Sequence, residues 1–195
     1  MTERGGRRPL LVLVSGAPGS GKSTLARHLA DQDALWLPLL SVDAFKRGLA
    51  ETQGIDLTLD PAMRSTITQA AVEAFFAAIR YFVGSGLSVI AEFSFRCGLA
   101  ERDIAPYLVL ARVVNVHCAL DPMEVQRRFL ARERARPAPV AGAARVSDQM
   151  ERGTFDWTVF GPLALDAPQL HVDTTQGYAP SLEAVVAFCH GNAVT

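Results

Sequence analysis

PLLVLVSGAPGSGKST, residues 9–24, decides how the rest of the chain is read. Its first half is an unbroken apolar run, Leu10 to Val14, with a proline before it and a glycine soon after. A short run of this kind suits a central parallel strand, covered on both faces. Its second half matches G-x-x-x-x-G-K-[ST] from Gly16 to Ser23. KSTLARHLAD then has helical spacing, with Leu25 and Leu29 on one face. Strand, glycine loop and helix are the parts a phosphate cradle needs. The glycines let backbone N–H groups turn inward around a phosphate, and the helix N-terminus adds partial positive charge. Gly16, Ala17, Pro18, Gly19, Ser20, Gly21, Lys22, Ser23 and Thr24 are therefore the candidate nucleotide-binding set. Lys22 is expected to reach the β- and γ-phosphates, and the Ser23 hydroxyl to ligate Mg²⁺. No N-K-x-D base-reading segment is present and the lysines are Lys22 and Lys46 alone, so ATP is expected rather than GTP.

Composition bounds the remainder. The 195 residues are 49% hydrophobic and carry a net charge of −1. That suits one well-buried domain spanning residues 1–195, and it supplies no global basic field for nucleic acid. Cys97, Cys118 and Cys189 lack metal-ligand spacing and read as free thiols of a reducing compartment. No apolar run approaches the ~20 residues of a membrane span, so a cytoplasmic protein is expected.

Strand and helix signals alternate along the chain. LWLPLLSV, with Pro38 pointing to an edge position or an irregularity, LSVIAEFS, RVVNVHCAL and QLHVDTT read as further strands. The segment from Asp60, a candidate N-cap, to Gly86 reads as a helix with an apolar stripe at Ile67, Ala71, Phe75, Ala78 and Phe82. DPMEVQRRFLARERAR reads as a helix with an Asp-Pro start, PAPVAGAAR after it as a loop, and APSLEAVVAFCHG as the last helix. This alternation implies an α/β domain with a parallel sheet and right-handed crossovers. His117 and His171 read as core histidines, Trp36 and Trp157 as packing residues, and Arg102 as surface.

Two charged residues end apolar runs, which is costly unless they have work to do. Asp43 closes LLSV before a helix start; it is either a helix cap or a carboxylate that orients an attacking hydroxyl. Glu92 closes LSVIA; it serves either Mg²⁺ through water or an acceptor molecule. Arg128, Arg132 and Arg136 share a helix face at i, i+4 spacing. Arginines on a mobile lid can neutralise charge on a transferring phosphoryl group.

LVLVSGAPGSGKSTLARHLA followed by LLSVDAFKRGL and VIAEFSFR resembles the small P-loop kinases of the zeta-toxin and chloramphenicol-phosphotransferase type, with an AAA-type ATP-binding domain. The likeness extends loosely through DPMEVQRRFLARERAR to HVDTT. It implies a three-layer α/β/α sandwich around a five-stranded parallel sheet in the order 2-3-1-4-5. It implies that Asp43 takes the acceptor's proton and that Lys46 and Arg47 line the acceptor pocket. Glu92, Ser94 and Arg96 would contact the acceptor too. Lys22, Arg128 and Arg132 would assist transfer, Arg136 would join the nucleotide set, and a lid would span residues 127–147. Adenine would lie near the loop after HVDTT, where Asp173 and Thr174 stand. The expected activity is MgATP-dependent phosphorylation of a hydroxyl on a small molecule or nucleotide sugar. A polynucleotide 5′-hydroxyl kinase is the alternative, and a nucleotide-binding switch or ATPase without acceptor is the rival from another class. No antitoxin-like partner can be inferred from the chain.

Overall fold

The computed structural model describes residues 8–31, 35–56, 61–135 and 142–191. Five parallel strands, β1 (Leu10–Ser15), β2 (Leu39–Ser41), β3 (Val89–Glu92), β4 (Arg112–Ala119) and β5 (Gln169–Asp173), lie in the order β2-β3-β1-β4-β5. The helices are α1 (Lys22–Ala30), α2 (Val42–Gln53), α3 (Pro61–Gly84), α4 (Ala100–Ile104), α5 (Pro122–Arg134), α6 (Ala143–Glu151) and α7 (Leu182–His190). The expected sheet order is the observed one, and β2 is indeed an edge strand. It begins only after Pro38, whose carbonyl accepts a hydrogen bond from Ile90 N at 2.9 Å.

Alternation along β1 builds the three layers. Leu11 and Leu13 face a core shared with α3, while Val12 and Val14 face one shared with α1 and α7. Both sets are fully buried, so the strand reads as a continuous apolar run. The buried stripe of α3 is Ile67, Ala71, Phe75, Ile79 and Val83. It departs from the expected Ala78 and Phe82 because the contact row keeps i+4 steps along the whole helix. Phe75 meets the rings of Phe45, Phe76, Phe93 and Phe95 with centroids 5.3–6.4 Å apart.

Three other readings change. Residues 143–145, expected in a loop, open α6, which packs Met150 against Phe129 of α5. Trp36 is 82% exposed rather than packed. His171 is exposed, and only His117 is buried. The Asp60 cap falls outside the described residues. The Asp121 cap of α5 is present, accepting from Met123 N at 2.9 Å and Glu124 N at 3.3 Å.

A polar chain crosses the α3 side of the sheet. Asn115 Nδ2 donates to Gln169 Oε1 at 2.6 Å, and Ser15 Oγ donates to Asn115 Oδ1 at 2.9 Å. Ser15 Oγ also lies 3.0 Å from His117 Nδ1, and Gln169 Nε2 lies 3.3 Å from His171 Nε2. Burial first, then the neighbouring His171, pulls the His117 pKa from 6.5 down to about 4.

Phe75→Ala should cost about 3–5 kcal/mol in urea unfolding, because four aromatic neighbours lose their common partner. An unfolded histidine takes a proton near pH 6.5, and folded His117 only near pH 4. Between those values the unfolded chain binds the extra proton, so this residue erodes stability as pH falls through the window and has no effect above it. Thermal melts should therefore show wild type losing more than His117→Gln between pH 6.5 and 4; equal losses would remove the assignment.

Candidate active site

The phosphate loop sits where β1 turns into α1. Gly16 has φ +136, and a Cβ there would stand 2.6 Å from Ser20 Oγ and 2.7 Å from the Cys118 carbonyl. Gly19 has φ +96, and a Cβ would come within 3.0 Å of the Val125 carbonyl and 3.2 Å of Phe129 Cβ on α5. The motif's glycines are thus needed twice, for left-handed backbone and for close packing. Ser20 N donates to Ala17 O at 3.1 Å, and Thr24 and Leu25 N both donate to Gly21 O at 3.0 Å. Lys22 opens α1 after Gly21, its left-handed N-cap.

Glu92 ends β3 beside this loop and is only 5% exposed. Its Oε1 lies 3.5 Å from Lys22 Nζ and accepts from Ser23 Oγ at 3.0 Å. Those two partners make the buried carboxylate tolerable; removing one partner of a buried pair typically costs about 3–5 kcal/mol. The Ser23 hydroxyl and the Glu92 carboxylate are hard oxygen donors of the type Mg²⁺ accepts. Among the described residues no three His, Cys, Asp or Glu side chains form a metal cluster. A Mg²⁺ at this pair would therefore be completed by phosphate oxygens and water.

β2 delivers Asp43 to the same edge of the sheet. Ser41 pairs with Glu92 in the β2–β3 ladder, and α2 starts at the next residue. Ser41 is the N-cap, and its side chain makes no capping bond. Asp43 is therefore not the cap; it is an exposed carboxylate in the first turn. Lys46, one turn on, is half-buried. Burial lowers its pKa, with Asp43 opposing and Arg64 adding to the shift. Arg47 is exposed, Ser94 half-buried and Arg96 exposed. Arg96 lies near enough to Asp156 to help lower the pKa of that carboxyl, which the Thr158 hydrogen bonds lower more.

The arginines of α5 do not form one group. Arg128 donates to Glu124 at 2.7 Å and to the carbonyls of Thr174 at 2.9 Å and Thr175 at 2.6 Å. Thr174 in turn donates its hydroxyl to Ser20 O at 2.8 Å. The loop after β5 is thus fastened to both α5 and the phosphate loop, a link sequence reading missed because it joins backbone atoms far apart in the chain. Hydrogen bonds from Arg127 and Arg128 hold the Glu124 carboxyl down at about 2. Arg132 lies 5.2 Å over the Phe129 ring and donates its Nε to Glu133 at 3.1 Å. Among the described residues its terminal nitrogens meet no hydrogen-bond partner. Arg136 lies outside the described residues.

Solved structures share this fold. A protein of Chloroflexus aurantiacus j-10-fl, provisionally assigned as a kinase, is 28% identical with a TM-score of 0.75, covering 96% of this chain and 97% of its own. A sugar kinase from Janibacter sp. HTCC2649 is 18% identical with a TM-score of 0.60, covering 93% and 95%. A gluconokinase from Sinorhizobium meliloti 1021 is 17% identical with a TM-score of 0.53, covering 95% and 94%. No curated protein matches the sequence.

Arg128→Ala should release the Thr174–Thr175 loop and lower stability by about 1–3 kcal/mol in urea unfolding. It should also weaken ATP binding in calorimetry; unchanged stability would show that the loop holds without it. Residues 11–155 match the AAA domain family, most of the chain with the phosphate loop inside the match, and the chain belongs to that family of nucleotide-binding P-loop domains.

Proposed function

We propose that the protein is an ATP-dependent kinase that transfers the γ-phosphoryl group to a hydroxyl of a small molecule or nucleotide sugar. The observation that carries this is Asp43. It is an exposed carboxylate in the first turn of α2, two residues beyond the strand pair that holds Glu92, and helix capping does not account for it. A hydrolase or switch needs the phosphate loop but has no use for an acceptor-side carboxylate here. The order of phosphate loop, Asp43 and Glu92 agrees with kinases of the zeta-toxin and chloramphenicol-phosphotransferase type. The kinases among the structural neighbours agree with the same reading.

In this reading the phosphate-loop N–H groups and Lys22 hold the β- and γ-phosphates, which requires Lys22 to exchange part of its contact with Glu92 for phosphate. Mg²⁺, held by Ser23 and through water by Glu92, would neutralise charge on those phosphates. Asp43 accepts the acceptor's hydroxyl proton; the oxygen bonds to the γ-phosphorus, the bond to the bridging oxygen breaks, and ADP leaves. Lys46, Arg47, Ser94 and Arg96 border the acceptor. Arg132 is the arginine assigned to turn toward the γ-phosphate, since Arg128 already holds the loop after β5; of the expected lid, 127–147, residues 136–141 lie outside the described residues. Arg136 remains a candidate for the nucleotide.

Asp43→Ala should lower phosphoryl transfer by about 10²–10⁴-fold while ATP affinity stays near wild type. Loss of ATP affinity instead would sink the base assignment. Lys22→Ala should weaken ATP binding and abolish turnover, and full turnover in that variant would overturn the kinase reading.

A further inference from the structure

The pair formed by α2 and α3 stands over the carboxyl edge of the sheet, on the side of Asp43. Phe75 meets Phe93 and Phe95, the residues that leave β3, so the middle of α3 is level with that edge. From there the helix runs down to Gly84, and Leu87 N donates to Phe82 O on the way into β3. The half of α3 before Phe75 therefore projects past the edge. α2 begins at the edge, directly after Ser41, and its Phe45 meets Phe75 with ring centroids 6.4 Å apart. Val42 of α2 shares one core with Ala71 and Phe75 of α3.

Each helix carries a cation on its buried stripe. On α2 the stripe runs Val42, Lys46, Ala50 in i, i+4 steps, and the residues on either side of the lysine are 3% and 6% exposed. On α3 it runs Arg64, Ile67, Ala71, Phe75, with the last three no more than 3% exposed. Lys46 and Arg64 are themselves half-buried. They stand near enough for Arg64 to add to the lowering of the Lys46 pKa, which burial causes first and Asp43 opposes. Packing alone would place apolar residues at both positions. Two cations that converge in a partly dry helix interface repel each other, and a negative group held by both relieves that cost.

Asp43 lies three residues before Lys46, and Glu51, the other acid of α2, is exposed five residues after it. In the reading above Asp43 takes the acceptor's hydroxyl proton, so it cannot also be the lasting counter-charge of the two cations. An anionic group on the acceptor itself meets that need, and its place is one helical turn from the hydroxyl that Asp43 orients.

We propose that Lys46 and Arg64 form an anion subsite beside Asp43, and that the acceptor carries a carboxylate or phosphate group in addition to the hydroxyl that is phosphorylated. This rests on the kinase reading above and narrows its acceptor to anionic small molecules and nucleotide sugars. Lys46 and Arg64 hold the acceptor and take no part in the chemical step. Hydrogen bonds from a cation to a carboxylate or phosphate are about twice as strong as neutral ones, so a neutral analogue of the same shape binds less well.

The test offers γ-labelled ATP with probes matched except for the anion: D-gluconate against D-glucitol, D-glucuronate against D-glucose, and glycerol 3-phosphate against glycerol. UDP-N-acetylglucosamine serves as the nucleotide sugar and chloramphenicol as a neutral contrast. Label should pass to an anionic probe with kcat/KM about tenfold or more above that of its neutral match. The carboxylate and phosphate arms show which anion the subsite takes. With the labelled probe, Lys46→Met and Arg64→Met should each raise its KM by about tenfold at unchanged KM for ATP, and Lys46→Arg should keep KM within about threefold. Label passing only to neutral probes, or equally to both members of a pair, would overturn the proposal. So would an unchanged KM in either methionine variant, or a KM for ATP that rises with that of the probe. No label on any probe would remove the kinase reading and this inference with it, whereas a labelled neutral probe leaves the kinase reading standing and removes the inference alone.

Discussion

Everything else in this molecule is fitted around one demand, that backbone N–H groups converge on a phosphate. A loop that does so runs through left-handed conformations and leaves no space for side chains at Gly16 and Gly19. The neighbours that occupy that space come from distant parts of the chain, the Cys118 carbonyl at the end of β4 and Val125 and Phe129 on α5, while Thr174 after β5 stands against Gly21 and bonds Ser20 O. A parallel sheet with β1 in the middle brings these pieces to one edge. The loop is therefore braced from several sides before any ligand arrives, which is what preorganised charge stabilisation requires.

At the same edge the two faces of β3 end differently. Glu92 faces the side of Lys22 and Ser23, while Phe93 turns to the side of α2 and α3. Electrostatics and shape are thus split between adjacent residues of one strand. Glu92 is not left alone in its buried position: a lysine and a hydroxyl share one of its oxygens. Any phosphate entering the loop competes with that carboxylate for Lys22, so binding a nucleotide is coupled to how Glu92 is partnered.

Features with short-range causes were legible in the sequence. The phosphate loop, the strand before it and the Asp-Pro start of α5 follow from local backbone demands. Asp43 stood out because a charge at the end of an apolar run is unusual. The sheet order was legible only through resemblance, since periodicity does not fix how strands are arranged. Other features depend on partners that periodicity cannot name. Arg128 shares a helical stripe with Arg132, yet Arg128 holds carbonyls of the loop after β5 and Arg132 lies over Phe129. The helix opened by Ala143 hid in an alanine- and glycine-rich stretch with few apolar anchors. Trp36 looks like a core residue by type, yet it is exposed next to the buried Leu35.

The side-chain chain from Ser15 through Asn115 to Gln169 also governs how β5 joins the sheet. Strand faces alternate with every residue, so a slip of one position would turn Gln169 and His171 to the opposite side. Asn115 would then be left buried with its amide unanswered, and Ser15 would lose the ordered acceptor that aligns it. The same slip would turn Val172 out of the core it shares with α1 and α7, so the apolar and polar penalties act together. The hydrogen-bonded relay makes it conspicuous, and so acts as a check on correct assembly of the last strand before Thr174 can close against the phosphate loop.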